Sequence, residues 1–254
     1  MIEILNQDQI RNLRAGGKIL AGVLDLVVKA VKPGMPTLGL DQIAETELRR
    51  LGATPSFKMY SESGEKPFPA TLCVSINNEV VHGCPTAQKI VKAGDLVSLD
   101  IGCLYKGLYT DMAVTVPVGK VEPAARKLLE ITKKSLSIGI AKARNNNFIG
   151  DIGAAIEAYV LQHGFSVVKD LVGHGIGSKL HQDPAIPNFG RVKTGEKIQT
   201  GMALAIEPMV NLGGEGVTTS KDGWTIKTSD SNLSAHFEHT IVVTDSAPVI
   251  VTKI

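Results

Sequence analysis

A chain of 254 residues with 43% hydrophobic content is long enough to bury a large core, as one domain or as two closely packed halves. Its 27 basic and 25 acidic side chains nearly cancel, which removes the charge argument for a nucleic acid or a membrane surface as partner. The cysteines Cys73, Cys84 and Cys103 are widely spaced and form no CxxC pair, so neither a disulfide framework nor a thiolate zinc site is expected.

The first residues, MIEILNQDQIRNLRAGG, carry Glu3 and lack a basic segment followed by an apolar one, so no secretion signal is read there and a cytoplasmic setting is expected. Residues 7–31 have helical periodicity: Ile10, Leu13, Ile19, Leu20, Val23, Leu24, Val27 and Val28 share one broad stripe. The run 19–31 contains Asp25 and Lys29 and is too short to span a bilayer. KPGMP (32–36) stops this helix, Thr37 is placed to cap the next over 38–51, and Gly52 ends it. Residues 53–70 read as a loop holding Pro55, Gly64, Pro67 and Pro69. Strands follow at 71–76 and 79–82, then a hairpin over 95–116 turning at Lys106 and Gly107. Helices at 122–144 and 149–163 flank the polar turn Asn145, Asn146, Asn147. Beyond Gly164 the pattern returns to strands, in SVVKDLVGHGIG, MALAIEPMVNLG, GWTIKTSD, SAHFEHTIVVT and PVIVTKI, while DPAIPNFG after His181 reads as a loop.

The hairpin poses a physical problem. If it turns at Lys106 and Gly107, Asp100 sits opposite Ala113 and Asp111 opposite Gly102, so the two carboxylates are diagonal neighbours on one face. Unpaired, they would repel and be desolvated, and a divalent cation removes that cost. The second half repeats the anomaly: Glu207 ends the apolar run MALAI, and Glu238 interrupts HFEHTIVV. One such acid is usually an edge residue or an ion-pair partner, but four of them together point to a functional site. KAGDLVSLDIG (92–102) and QTGMALAIEPM (199–209) share a glycine, an apolar strand and an acid at matched spacing, which suggests two related halves.

Histidines complete the picture. His174 in GHGIG has glycines on both sides, which would let its backbone approach a ligand closely. His82 before Gly83 taken alone is better read as a turn residue, and His163 as a helix-end residue. Alternation would send His239 away from any site that Glu238 faces. One imidazole with four acids is an oxygen-rich set able to hold two metals that activate water, the plan of a two-metal hydrolase. The fold class that fits is α+β, with helices on one side of a curved antiparallel sheet.

In the order His82, Asp100, Asp111, His174, His181, Glu207, Glu238, these residues resemble the active site of the type I methionine aminopeptidases. The strings SINNEVVHG, GDLVSLDIG, TDMAVT, GHGIG, AIEPMV, DGWTIKT and FEHTIVVT carry the resemblance, which runs from residue 7 to 251. It implies the pita-bread fold of two pseudo-symmetric halves in one catalytic domain over 1–254. It also implies removal of the initiator methionine from nascent chains, by metal-activated water attacking the first peptide bond, with a small second residue preferred. Residue by residue, Asp100 would chelate one metal, Asp111 and Glu238 bridge both, and His174 and Glu207 complete the other. Glu207 would also take a proton from the attacking water, His82 contact the scissile amide, and His181 stabilise the carbonyl oxygen. Trp224 and Cys73 match methionine-pocket positions, with Phe68 and Tyr60 as further walls.

The resemblance further implies two divalent ions (Co, Mn, Fe or Zn) and a monovalent cation near Asn77 and Ser234. It implies a monomer whose partner is the nascent N-terminus, with transient ribosome contact and no membrane or specific nucleic acid. Only 25 residues separate His181 from Glu207 and 30 separate Glu207 from Glu238, too few for the insertion of the type II enzymes. Four departures stand out: a longer loop over 56–70, Cys84, Tyr109, and His236 where a Gln is usual. An Xaa-Pro peptidase of the same fold would need an additional N-terminal domain. A binding protein that had lost its metals would show substitutions among the seven site residues, and there are none.

Overall fold

Helix α1 (Gln7–Ala30) begins in a reciprocal cap: Asn6 Oδ1 accepts from Gln9 N at 3.0 Å and Asn6 N donates to Gln9 Oε1 at 2.9 Å. In the computed structural model, which describes residues 2–61 and 66–253, α2 follows at Thr37–Arg50. Strands β1 (Thr54–Pro55), β2 (Leu72–Ile76), β3 (Glu79–Val81), β4 (Leu96–Tyr105) and β5 (Leu108–Pro117) complete the first half. The second half opens with α3 (Pro123–Lys142) and α4 (Ile149–Gln162). Its strands are β6 (Ser166–Val167), β7 (Val172–Gly175), β8 (Gln182–Pro187), β9 (Ala203–Ile206) and β10 (Met209–Asn211), then β11 (Val217–Thr219) and β12 (Ile226–Thr228). β13 (Ser234–His236), β14 (His239–Val242) and β15 (Val249–Ile250) end the chain. Among the described residues no helix is long and apolar enough to cross a membrane.

Each half is a helix pair laid on antiparallel strands, which is the pita-bread arrangement. In the first, β4 carries β5 on one side and β1 and β2 on the other, and the stripe of α1 packs Leu20, Leu24 and Val27 onto Leu72, Leu99 and Ile101. In the second, the order β15-β14-β9-β7-β8 forms the larger sheet, and Leu128, Ile152 and Ile156 of the helices meet Leu204, Ile206 and Ile241. A third cluster, with Leu13, Phe57, Leu108, Ile176, Ala205 and Val242, ties the halves together. The hairpin register is the one its turn dictates: Tyr105 pairs Leu108, Asp100 pairs Ala113 and Gly102 pairs Asp111.

Two local expectations are corrected. Thr37 does not cap α2. It is the first helical residue, and its hydroxyl donates to Thr86 O at 3.1 Å and accepts from Thr86 N at 2.9 Å, pinning a distant loop instead. The segment after His181 is a strand, β8, rather than a loop. Pro184 and Pro187 disguise it, and both are tolerated because β8 lies at the sheet edge. Gly64, placed in the 53–70 loop, lies outside the described residues.

The halves are joined by a reciprocal exchange between two buried threonines. The hydroxyl of Thr240 accepts from Asp111 N at 2.9 Å and donates to Asp111 O at 2.8 Å. From the other side, Thr115 accepts from His236 N and donates to His236 O, both at 2.8 Å. Between them Glu238 N donates to Ala113 O at 2.9 Å. The outer edge of β5 is thereby covered by the second half. Thr240→Val, nearly isosteric, would leave both backbone groups of Asp111 without these partners. It is expected to lower unfolding free energy by about 2–3 kcal/mol in a urea titration, whereas a hydroxyl in contact with solvent would cost a few tenths.

Candidate active site

A cavity of about 340 Å³ opens between the halves, and every site residue singled out in the sequence lines it. Asp100 and Asp111 come from the facing strands of the β4–β5 hairpin, His174 from β7, and Glu207 from the residue after β9. Glu238 lies between β13 and β14, His82 follows β3, and His181 precedes β8. Ligand atoms of Asp111, His174 and Glu238 all lie within 4.8 Å of one another. His174 Nδ1 is 3.0 Å from Gly175 O, so it donates there and turns the lone pair of Nε2 toward Glu207 Oε1, 3.5 Å away.

Burial dominates the electrostatics. It raises Asp100 well above the usual carboxylate range, with the Asp111 and Glu207 charges adding to it. Burial also pushes Asp111 up to about 8, helped by Glu207, and Glu207 itself to about 8. Glu238 goes well above its ordinary value through burial and the charges of Asp111, Glu207 and Asp100. The imidazoles move the other way: burial takes His174 down to about 3, with His181 contributing, and His82 down to about 4, with His236 and His181 contributing. All are neutral near pH 7 and hold a free lone pair. Asp100 Oδ1, Asp111 Oδ1 and Glu238 Oε1 are buried without a hydrogen-bond partner. Oxygens orphaned in one dry place, beside an imidazole lone pair, are a donor set that a hard divalent cation fits.

The glycines around the histidines serve packing. A Cβ on Gly173 would stand 2.5 Å from Ala205 O, and one on Gly175 2.1 Å from Asp183 O, so they let β7 press between β9 and β8. His82 has a left-handed backbone, φ 56°, a conformation costing a side-chain-bearing residue about 1–3 kcal/mol. It is held there by its neighbours: Gly83 N donates to Ser75 Oγ at 3.1 Å, and Cys84 N to Thr225 Oγ1 at 3.3 Å. Thr225 is fixed in turn by donating to Asp222 Oδ2 at 2.6 Å, and Trp224 N donates to Asp222 Oδ1 at 2.9 Å.

The apolar side of the cavity forms around Trp224. Phe68 meets it edge to face at 5.4 Å between ring centres, and Cys73 stands in register opposite Asp100. The longer 56–70 loop leaves these walls in place because its stem is closed: Met59 N donates to Phe68 O at 2.9 Å and Phe68 N to Tyr60 O at 2.8 Å. The Tyr60 hydroxyl lies 2.8 Å from His181 Nδ1. His239 faces away, 3.0 Å from Thr252 Oγ1, and His163 closes its helix 2.7 Å from Tyr159 O.

Sequence reasoning missed Phe57, Leu171, Leu180 and Ile226, which also line the cavity from loops and short strands with no periodicity to expose them. It also missed His236, whose Nε2 is 3.4 Å from Glu207 Oε2. The available signal was its spacing of two from Glu238, which puts alternate residues on one face.

Two helix-on-sheet halves enclosing buried carboxylates and neutral imidazoles define a pita-bread metallohydrolase. The profile of metallopeptidase family M24 matches residues 11–245, and the chain belongs to that family. It is 48% identical to a methionine aminopeptidase of Clostridium perfringens over 254 residues, 100% of both chains. A methionine aminopeptidase structure from Thermotoga maritima superposes with a TM-score of 0.97 at 39% identity, covering 100% of both chains. An Xaa-Pro dipeptidase from Bacillus anthracis shares the fold, with a TM-score of 0.79 at 21% identity, covering 99% of this chain and 62% of that one. Membership of the family brings divalent-metal use with it.

Carboxylates whose folded pKa lies above the unfolded value bind more protons folded than unfolded. Below about pH 7 the buried imidazoles oppose this trend, because the unfolded chain then protonates histidines that the folded chain keeps neutral; above it, the metal-free protein should lose stability as pH rises through about 8, where Asp111 and Glu207 titrate. Thermal unfolding in a chelator between about pH 7 and 9 should show Tm falling, and a divalent ion should remove the slope. A chelated protein whose Tm stays flat would mean that the carboxylates titrate normally.

Proposed function

We propose that the chain is a methionine aminopeptidase, a divalent-metal hydrolase that takes the initiator methionine from the N-terminus of nascent proteins. The observation that carries this reading is the convergence of all the predicted residues on one cavity whose carboxylate oxygens lack partners. Asp100, Asp111, His174, Glu207 and Glu238 would hold two divalent ions. The ions supply a lowered pKa for water and a polarised carbonyl. Oxygen donors with one imidazole suit Fe(II), Mn(II), Co(II) or Zn(II), and availability selects among them.

The side chains divide the remaining work. The substrate's α-amino group faces the carboxylates, and its methionine side chain lies along Trp224, Phe68, Tyr60 and Cys73, surfaces that suit a polarisable thioether. His181, with Tyr60 on Nδ1, turns Nε2 to the carbonyl oxygen as it gains charge. Glu207 accepts the proton of the attacking water, and neutral His82 hydrogen-bonds the scissile amide. A small second residue is preferred because the site crowds beyond the first peptide bond.

A monovalent cation would be held by backbone carbonyls near Asn77 and Ser234, two residues joined by the Ser234 N to Asn77 O hydrogen bond of 2.9 Å. The chain acts as a cytoplasmic monomer with one catalytic domain and touches the ribosome only transiently. Its free cysteines suit a reducing compartment.

Methionine release from Met-Ala-Ser and Met-Leu-Ser, with each metal returned to stripped protein, tests the reading. The first peptide should be cleaved only with metal, and the second spared. Silence from folded protein that binds ions would overturn it. Asp100→Ala and Glu238→Ala should lose metal and activity together. His82→Ala should lower kcat by about 10²-fold with metal content intact; a fall in metal content instead would move His82 into the ligand set.

A further inference from the structure

His236 is 1% exposed, yet neither of its ring nitrogens has a hydrogen-bond partner. A buried imidazole is ordinarily satisfied, and leaving it dry and unpaired costs stability. Thr115 clamps its backbone at both N–H and C=O, which fixes the point from which the ring projects. In the conformation the ring adopts, Glu207 Oε2 lies 3.4 Å from Nε2, a little too far for a hydrogen bond as it stands. The other oxygen of the same carboxylate faces His174.

The two imidazoles flanking Glu207 differ in tautomer. His174 has a carbonyl at Nδ1, which places its proton there and leaves Nε2 a lone pair. His236 has no acceptor at Nδ1, so its proton is free to sit on Nε2. We propose that His236 is a positioning residue that donates its Nε2–H to Glu207 Oε2, fixing the plane of that carboxylate and aiming Oε1 at the ion it shares with His174. The inference rests on the reading of Glu207 as a metal ligand. His236 acts through Glu207 and touches neither substrate nor ion.

The test compares wild type with His236→Leu, which fills the space without a donor, and His236→Gln, which restores an N–H. Metal-free protein is titrated with Mn(II) and followed by electron paramagnetic resonance, and kcat and KM are measured on Met-Ala-Ser. His236→Leu should bind one of two Mn(II) ions 10–100-fold more weakly and lose kcat by about 10–100-fold, with KM within about threefold. His236→Gln should recover most of both. A His236→Leu protein that matches wild type would overturn the proposal. So would His236→Gln being no better than His236→Leu while folded as judged by its unfolding curve. Wild-type protein that takes up no Mn(II) would remove the metal-site reading and the inference with it, a failure distinct from either of those.

Discussion

Four carboxylates in one dry cavity are mutually repulsive, and the desolvation of each ionised group costs several kcal/mol. No arrangement of the protein's own groups offsets this. Among the described residues no lysine or arginine ion pair reaches Asp100, Asp111, Glu207 or Glu238, and three of their oxygens have no partner at all. The fold holds them together regardless, because each is anchored by a backbone that two hydrophobic cores fix. Leu99 and Ile101, on either side of Asp100, and Leu204 and Ile206, just before Glu207, are fully buried. The acids sit where those strands would otherwise continue as core.

The junction between the halves converts that anchoring into a site. Neither half contains a complete donor set: Asp100 and Asp111 belong to the first, and His174, Glu207 and Glu238 to the second. What aligns them is the exchange in which Thr240 satisfies Asp111 and Thr115 satisfies His236. These bonds lie on the backbone of the acid-bearing segments themselves, so a slip along the junction would move a ligand by the same distance. The pairing also covers the outer edge of β5, which would otherwise present unpaired N–H and C=O groups. One set of contacts therefore seals an edge and registers the donors.

Much of this was legible in the sequence, for identifiable reasons. The two-residue turn at Lys106 and Gly107 determines every pairing down the hairpin, so the shared face of Asp100 and Asp111 follows from counting. The acids were visible because they break strands that are apolar on both sides. The helix stripe of α1 was visible because its period is sustained over many turns. Elsewhere local chemistry had two uses and the sequence could not choose between them. Thr37 looks like a cap but pins Thr86; Pro184 and Pro187 look like loop residues but occupy an edge. Each choice was made by a partner far away in the chain, which local pattern does not record.

On the proposed reading, the side chains around the cavity divide into those that would hold an ion and those that would position a ligand to it. An ion bound only by the folded state stabilises it by an amount that grows with the logarithm of its free concentration, so on the proposed reading a cation would complete the fold as well as the site. Its contribution depends on the carboxylates being presented in fixed planes, since a ligand free to rotate loses entropy on binding. Asn188 Nδ2 fixes the carbonyl of Glu207 at 3.1 Å, but this restrains the backbone and leaves the carboxylate free to turn. His174 and His236 face it, one on each oxygen. On the proposed reading, metal binding and the order of the surrounding protein would meet at a single side chain, Glu207, whose two oxygens face His174 and His236.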